Sequence, residues 1–264
     1  MKKLLYILLA FAVISCSGTD DILQEATFQN NSSELQPDKI WVYYAELPVI
    51  TNVNQDWNYK FLYENGLLKR MTGRLNKVNS GGSNIYFFSN DIYTNVSYLP
   101  NQVVVEHSEM HDGVKKIVHT LQNNKLIKSE IYNNYNEIYQ VKNYSYEANK
   151  ISVHTKWYSW DTYDTYFFDS NKNLIKSEKL ELSGNVETKL TKTDYLNFDT
   201  AKNPYKKLSL LNENFFVKSL SENNYRKISY TTQYLPNDPQ ILPGNGYNEW
   251  TYQYNSDGQV VLSY

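Results

Sequence analysis

Alternating apolar and polar positions recur along most of the chain after Lys39 and predict β-hairpins. The recurring motif has two aromatic or large apolar residues one position apart, then a turn rich in Asn, Asp or Gly, then a pair of aliphatic residues. A period of two is typical of a strand with one buried face, and Asn, Asp and Gly tolerate the positive φ angles of tight hairpin turns. The motif occurs at residues 61–68, 86–92, 144–151, 166–175 and 252–261, and in a degraded form at 121–127.

The spacing of these motifs predicts the topology. Tyr63 and Phe88 are 25 residues apart, as are Leu121 and Tyr146, an interval that fits two strands and two short turns. We therefore expect an all-β domain built as an antiparallel up-and-down meander of about 10–14 strands. The meander should be strongly curved or closed into a barrel, because closure removes the exposed edges of an open sheet.

The breaks in this rhythm predict loops. No segment shows a convincing helical period. The longest break, residues 235–248, contains Pro236, Pro239 and Pro243 and is too rich in proline for a tight turn. We expect it to be an excursion over the surface or across a barrel end, where functional residues often lie.

The amino terminus has the features of a targeting segment. Two lysines follow Met1, residues 4–14 are apolar, and Ser15 precedes Cys16. The apolar run is too short to span a bilayer and has the length of a signal-peptide core. The segment 13–16 resembles a bacterial lipoprotein signal, which implies a signal peptide at residues 1–15, cleavage before Cys16 and a diacylglycerol on its sulfur. The resemblance thus implies a membrane partner through the lipid on Cys16, and several acyl chains suffice for stable anchoring.

Residues 16–38 are predicted to be the lipidated cysteine and a flexible tether, followed by one β-meander domain at 39–264. The tether is polar and has no sustained strand or helix period. Ser17 replaces the Asp that retains lipoproteins in the inner membrane in the familiar Gram-negative rule, so the resemblance implies the outer membrane. The sequence does not decide whether the domain lies on the periplasmic side or on the cell-surface side of the outer membrane.

Composition narrows the classes of function. Hydrophobic residues make up 41% and aromatic residues 15% of the chain, including 25 Tyr, so a packed core is expected. The net charge is -2 and no stretch gathers basic residues, which argues against nucleic-acid binding. The single cysteine excludes a disulfide within the chain.

His107, Glu109 and His111 share one face of a predicted strand, and these residue types suit zinc. The two-residue spacing spreads them along about 13 Å of strand, whereas zinc needs convergent ligands. We therefore expect a solvated polar face, with no bound metal and no cofactor.

The sequence also lacks the usual catalytic motifs. It contains no Gly-x-Ser-x-Gly elbow, no His-Glu-x-x-His helix and no phosphate-binding glycine loop. We expect a protein without catalytic activity. The sequence does not decide whether two carboxyl groups are paired for glycoside hydrolysis, because the distance between such groups on different strands depends on tertiary structure.

The most suggestive surface feature is the aromatic segment 156–164. Trp157, Tyr158, Trp160 and Tyr163 are candidate ligand-binding residues, because indole and phenol rings offer stacking faces. Alternation would place Trp157 with Tyr163 on one face of a single strand, and Tyr158 with Trp160 on the other. The alternative interpretation is that all four rings are structural.

One modification is also predicted. Asp199-Thr200-Ala201 resembles the O-glycosylation motif of Bacteroidetes exported proteins, so Thr200 is a candidate acceptor. The alternative is that these three residues only form a turn.

The hairpin motif resembles, in a loose form, the Tyr-Asp type repeats of bacterial cell-surface proteins. The segment 195–205 and the Tyr-x-Tyr-Asn-x-Asp-Gly segment at 252–258 are similar to those of Bacteroidetes outer-membrane lipoproteins built as β-meanders. A related domain has a porin-like fold, so the resemblance implies a barrel-like closed meander; no functional residues come with it. Lys, Asn and Glu opposite the aromatic positions favour strands that face water over a barrel embedded in lipid.

Three functions are consistent with these features. The first is a noncatalytic binding or adhesion module for a glycan or an envelope partner. The second is a structural envelope component without a small ligand. The third, less favoured, is a glycoside-processing enzyme.

Overall fold

The computed structural model describes residues 33–47, 53–80, 83–236 and 243–263. The predicted signal peptide, Cys16 and residues 17–32 of the predicted tether lie outside these ranges. No helix among the described residues has the length and apolar character needed to cross a membrane.

The described residues form sixteen strands, two α-helices and a short 3₁₀ helix. The strands are β1 (Lys39–Trp41), β2 (Asn58–Glu64), β3 (Leu67–Ser80), β4 (Ser83–Leu99), β5 (Gln102–His111), β6 (Val114–Gln122), β7 (Lys125–Tyr132), β8 (Ile138–Glu147), β9 (Lys150–Trp157), β10 (Trp160–Phe168), β11 (Leu174–Ser183), β12 (Val186–Leu196), β13 (Lys227–Tyr234), β14 (Gly244–Glu249), β15 (Gln253–Tyr254) and β16 (Val260–Val261). The helices are α1 (Val42–Glu46), the 3₁₀ helix (Lys206–Leu208) and α2 (Glu213–Ser219).

The predicted all-β meander is confirmed. Strands β1 to β14 form one sheet in which each strand pairs antiparallel with the next along the chain. Five of the six predicted hairpins coincide with observed turns. Asn65-Gly66 and Asn123-Asn124 all have positive φ angles, as two-residue hairpin turns require.

The predicted hairpin at residues 86–92 is wrong, because this segment lies inside the single strand β4. Along β3 and β4, Thr72 pairs with Tyr93 and Arg74 pairs with Ser89. Three residues of β4 therefore lie opposite one residue of β3. The polar residues that look like a turn in the sequence form a bulge, which bends a strand without ending it.

The predicted excursion at residues 235–248 is shorter than expected. Strand β14 begins at Gly244 and pairs with β13, so that Tyr230 lies opposite Gly246. A Cβ at Gly246 would overlap the phenol ring of Tyr230, so glycine permits a strand in a segment whose composition indicates a loop. Residues 237–242 lie outside the described ranges.

Residues 197–226, which connect β12 to β13 and are called the insert here, were not recognised in the sequence as a packed element. Within the insert, α2 begins at an N-cap, where the side chain of Asn212 accepts a hydrogen bond from the backbone N–H of Phe215 at 3.0 Å. The insert contributes a large part of the hydrophobic core, including Tyr205, Leu208, Leu210, Leu211, Phe215, Phe216, Leu220 and Tyr225.

The sheet curves around the insert. Phe215 packs against Tyr59 of β2, with ring centroids 6.3 Å apart. Phe216 packs against Tyr144 of β8 and Tyr166 of β10, at 5.7 and 5.9 Å. Strands eight positions apart in the pairing order thus contact one short helix, so the sheet is strongly curved and buries its concave face against the insert.

The two ends of the sheet approach each other through the C-terminal hairpin. Among the described residues, β1 and β14 do not pair with each other. The backbone N–H of Trp41 donates to the carbonyl of Leu262 at 2.7 Å, directly after β16. Tyr44 of α1 packs on Tyr252, with ring centroids 5.3 Å apart. The hairpin β15–β16 therefore contacts the first strand.

The described part of the predicted tether lies against the sheet. The backbone carbonyl of Asp38 accepts a hydrogen bond from the N–H of Phe61 at 2.8 Å. Burial raises the pKa of the Glu34 carboxyl group, and Lys207 and Lys206 oppose this shift. Residues 34 and 38 thus contact the folded body.

Candidate functional site

A cavity of about 600 Å³ lies between the concave face of β3–β10 and the insert. Its shape follows from the curvature of the sheet, because α2 fills only part of the space that the strands enclose. Its apolar lining comes from both the sheet and the insert: Tyr59, Met71, Leu75, Tyr86, Ile92, Val114, Ile117, Leu126, Ile131, Tyr144, Val153, Tyr166, Leu210, Leu211 and Phe216.

Strand alternation decides which residues reach the cavity. On β5, Val103, Val105 and His107 are buried, whereas Glu106 between the last two is exposed. On β9, Ile151 and Val153 are buried in the same alternating way. One face of each strand therefore carries the residues that enclose a ligand-sized space, and the other faces solvent.

The structure corrects the expectation for His107, Glu109 and His111. All three line the cavity; His107 is buried, whereas Glu109 is exposed and His111 is half-buried, so the face is solvated only in part. The Thr94 hydroxyl lies 2.8 Å from Nδ1 of His107, and the rings of His107 and His111 are 5.9 Å apart. Burial, with smaller contributions from His111, Arg74 and Lys115, lowers the pKa of His107 to about 4.

Glu109 faces a cation in place of a metal. Its carboxylate lies 3.3 Å from a terminal nitrogen of the Arg74 guanidinium. Among the described residues, no group of three or more His, Cys, Asp or Glu side chains is arranged to hold a metal ion. The trio thus supplies one neutral imidazole, His107, and one ion-paired carboxylate to the cavity wall.

His119 is a cavity residue that the sequence reasoning missed. Its Nε2 lies 3.0 Å from the carbonyl oxygen of Leu210, and its Nδ1 lies 2.8 Å from the hydroxyl of Ser129. Since a carbonyl oxygen only accepts, Nε2 carries the proton. Burial lowers the pKa of His119 to about 4. A neutral imidazole on β6 therefore joins the sheet to the insert.

An ion pair also joins the insert to the sheet. The ammonium of Lys142 on β8 lies 2.6 Å from the carboxylate of Glu213, the first residue of α2. Lys142 lowers the pKa of Glu213. Asp164 on β10 lines the same region and is 8% exposed, and burial raises the pKa of its carboxyl group.

The carboxyl groups of Glu213 and Asp164 differ in their surroundings. Glu213 is held in an ion pair and lies in the first turn of α2, where a carboxylate stabilises the helix dipole. Its position is explained by attachment of the insert to the sheet. The side chain of Asp164 receives a hydrogen bond from the Thr162 hydroxyl at 3.3 Å, and Asp164 lies opposite Lys179 in the strand pairing.

A two-stranded arm covers one side of the cavity. It consists of residues 74–80 of β3 and 83–89 of β4, which pair with each other beyond the points where β2 and β5 pair with these strands. Arg74 joins the arm to β5 by donating to the carbonyl of Met110 at 3.0 Å. Gly73 lies at the base of the arm. Its φ of 107° is one that residues with a side chain rarely adopt, and a Cβ there would overlap the ring of Phe88.

The structure separates the four candidate aromatic residues into two locations. Trp157 ends β9, Trp160 begins β10, and the two residues pair directly across the hairpin. Tyr158 lies in the turn, with a φ of 48°. The expectation that one strand carries all four rings on its two faces is therefore wrong, because a turn interrupts the segment.

Tyr163 lies on the opposite face of the sheet from the two indoles. It pairs with His154, and their rings stack 4.4 Å apart. Its neighbour Asp164 is buried on the concave side, so Tyr163 faces the convex side. Trp157 and Trp160 are each 46% exposed and Tyr158 is 76% exposed. Ligand binding by these residues stays a prediction.

Thr200 is exposed in the insert, next to the buried Ala201. The carboxylate of Asp199 accepts hydrogen bonds from the backbone N–H groups of Ala201 and Asn224, at 3.1 and 3.0 Å. The Asp-Thr-Ala motif is therefore also a turn. Glycosylation of Thr200 stays a prediction.

Two of the solved structures that are similar to this chain are porin-like proteins of low sequence identity. No protein-family model matches the chain, and no curated protein matches it. A porin-like protein from Bacteroides vulgatus is 15% identical, with a TM-score of 0.48, over 77% of this chain and 84% of that chain. A porin-like protein from Bacteroides uniformis is 14% identical, with a TM-score of 0.44, over 77% and 80%.

Proposed function

We propose that this chain is a noncatalytic binding protein of the bacterial envelope that holds a small, largely apolar ligand in the cavity between the sheet and the insert. The observation that carries this proposal is the cavity itself. Its volume of about 600 Å³ lies in the range of about 300–1,000 Å³ that is typical of small-molecule sites.

The lining has the composition of a binding site. Aliphatic and aromatic side chains supply a large apolar part of the wall, and polar and charged groups, among them Gln140, Ser129 and Thr94, lie between them. Apolar contacts provide affinity and a small number of hydrogen-bonding groups fix orientation. The rigid attachment of the insert through His119 and Lys142 supports a preformed cavity.

The charged groups of the lining support binding over catalysis. The carboxylate of Glu213 is paired with Lys142, and that of Glu109 is paired with Arg74. Both of these carboxylates therefore have a structural partner.

The proposed attachment to the membrane is a lipid on Cys16, on the outer membrane. The convex face of the sheet supports this over insertion of the strands, since Lys128 and Glu130 lie on it near the middle of β7. Lysine facing hydrocarbon at the middle of a bilayer costs about 2–4 kcal/mol.

The intact mass of the protein extracted from membranes checks both covalent predictions. We expect the mass of a chain that begins at Cys16, increased by a diacylglycerol and by the mass of a glycan on Thr200. Cys16→Ala should abolish the lipid increment, and Thr200→Ala should abolish the glycan increment. An unmodified mass in the wild-type protein would contradict both.

The binding proposal is tested with Nile red, a neutral apolar dye whose fluorescence rises on transfer from water to an apolar site. We expect saturable binding to the purified protein. Ile117→Trp places a large ring in the cavity and should weaken binding by roughly tenfold. The matched control is Val118→Trp, because the next residue of β6 faces the convex side.

Two results would contradict this proposal. If Nile red binds equally well to the wild-type protein and to both variants, it binds elsewhere. If the wild-type protein does not bind it, the alternative of a structural envelope component is favoured. Thermal unfolding of both variants verifies that they are folded.

A further inference from the structure

The charges of the cavity wall restrict the chemistry of its ligand. Among the described residues, the lining contains five carboxyl groups and three permanent cations. The carboxyl groups belong to Glu46, Glu109, Asp112, Asp164 and Glu213, and the cations to Arg74, Lys77 and Lys142. The wall therefore carries an excess of negative charge.

The three histidines of the wall do not offset this excess. Burial lowers the pKa of His107 and His119 to about 4 and lowers the pKa of His111 as well. All three are therefore neutral at pH 7. Arg74 and Lys142 are already held in ion pairs, and Lys77 lies at an exposed position of the arm, so a carboxylate or phosphate ligand has no buried, unpaired cation among these three to contact.

Asp164 is the carboxyl group best placed to contact a ligand. It is 8% exposed and lines the cavity. Among the described residues, its side chain receives one hydrogen bond, from Thr162 at 3.3 Å. Burial raises its pKa and Glu213 adds to this shift, while its cross-strand neighbour Lys179 and nearby Lys142 oppose it. A buried carboxylate with a single neutral donor gains from a further cationic partner.

Aromatic rings complete a site for a positive charge. Tyr59, Tyr86, Tyr144, Tyr166 and Phe216 all line the cavity. The face of an aromatic ring attracts a cation, and this attraction is stronger when water is excluded. The aliphatic part of the wall suits an apolar body on the same ligand.

We propose that the cavity binds an organic cation with an apolar body, and that the carboxylate of Asp164 receives its charged nitrogen. This inference rests on the proposed function and names the class of ligand. A neutral or anionic amphipathic molecule of the same size would lack the interaction with Asp164.

Three probes with the same eight-carbon chain test the proposal: octylammonium, 1-octanol and octanoate. Each is titrated into the purified protein at pH 7 by calorimetry, with thermal unfolding in parallel. We expect octylammonium to bind roughly tenfold more tightly than 1-octanol, and octanoate to bind most weakly. Asp164→Asn should remove the preference for octylammonium.

The matched control is Asp161→Asn on the same strand. Asp161 accepts a hydrogen bond from His154. The ring of His154 stacks on Tyr163 on the convex face, so Asp161 lies outside the cavity. This variant should keep the wild-type preference. If Asp164→Asn does not fold, the order of the three probes on the wild-type protein still decides the proposal.

The outcomes separate this inference from the proposed function. If 1-octanol or octanoate binds as tightly as octylammonium, the proposed cavity function stands and the organic cation is wrong. If octylammonium keeps its preference in folded Asp164→Asn, the role of Asp164 is wrong. If neither Nile red nor any of the three probes binds, the proposed function itself fails.

Discussion

Replacing Phe215 with alanine is expected to lower the free energy of unfolding by about 4 kcal/mol. Phe215 is 1% exposed and lies at the centre of the contact between the insert and the sheet. Its ring packs against Tyr59 and Phe61 of β2 and against Tyr205 of the insert. Truncation removes these contacts and leaves a cavity that the curved sheet cannot close. Urea unfolding followed by tryptophan fluorescence measures the effect.

Phe87→Ala is the matched control for this prediction. Phe87 lies on the arm and is 45% exposed, so the same truncation removes little buried surface. We expect a loss of less than about 1 kcal/mol. Equal effects of the two substitutions would mean that the insert does not hold the sheet together.

Acidification from pH 6.5 to pH 4 is expected to destabilise the protein by up to about 3 kcal/mol for each of His107 and His119. Burial lowers the pKa of both imidazoles to about 4 in the folded state, from about 6.5 in an unfolded chain. Between these values the unfolded state binds more protons than the folded state. The contribution of each histidine is therefore fully present above pH 6.5 and is lost as the pH falls through 4.

Chemical unfolding at a series of pH values measures this slope. His119→Leu should lower stability at pH 7, because the Leu210 carbonyl loses its donor and leucine cannot replace it, and should flatten the dependence between pH 4 and 6.5. Val118→Ala is the control, since it changes a convex-facing side chain of β6 that carries no titratable group and should leave the slope unchanged. A protein equally stable at pH 4 and pH 7 would contradict the buried, neutral state of His119.

Much of the sheet was predictable because the signals that define it are local. Tight turns need residues that accept positive φ angles, and Asn65, Gly66, Asn123 and Asn124 supply them at the observed positions. Strands need alternation, which the sequence carries on both sides of these turns. The same local signals explain the error at residues 86–92, since a bulge and a turn use similar polar residues.

The cavity and the insert were less predictable because they depend on contacts between distant residues. The Asn212 cap was a readable signal for α2, but a helix of seven residues shows little periodicity. His119 pairs with Leu210, 91 positions away. The alternation on β5 did place His107, Glu109 and His111 on one face, but the expected solvation of that face was wrong for His107, whose burial depends on distant parts of the chain.

The sequence by itself determined the all-β class, the order of the strands and most of the turns, because backbone conformation in a hairpin depends on a few adjacent residues. The same level of information supports the lipid anchor at Cys16 as a prediction. Only the tertiary structure decided which elements the curved sheet encloses, the packing of the insert and the charge balance of the cavity. These features arise when residues such as Lys142 and Glu213, 71 positions apart, are brought together by packing, and no local pattern in the chain records which distant residue will be the partner.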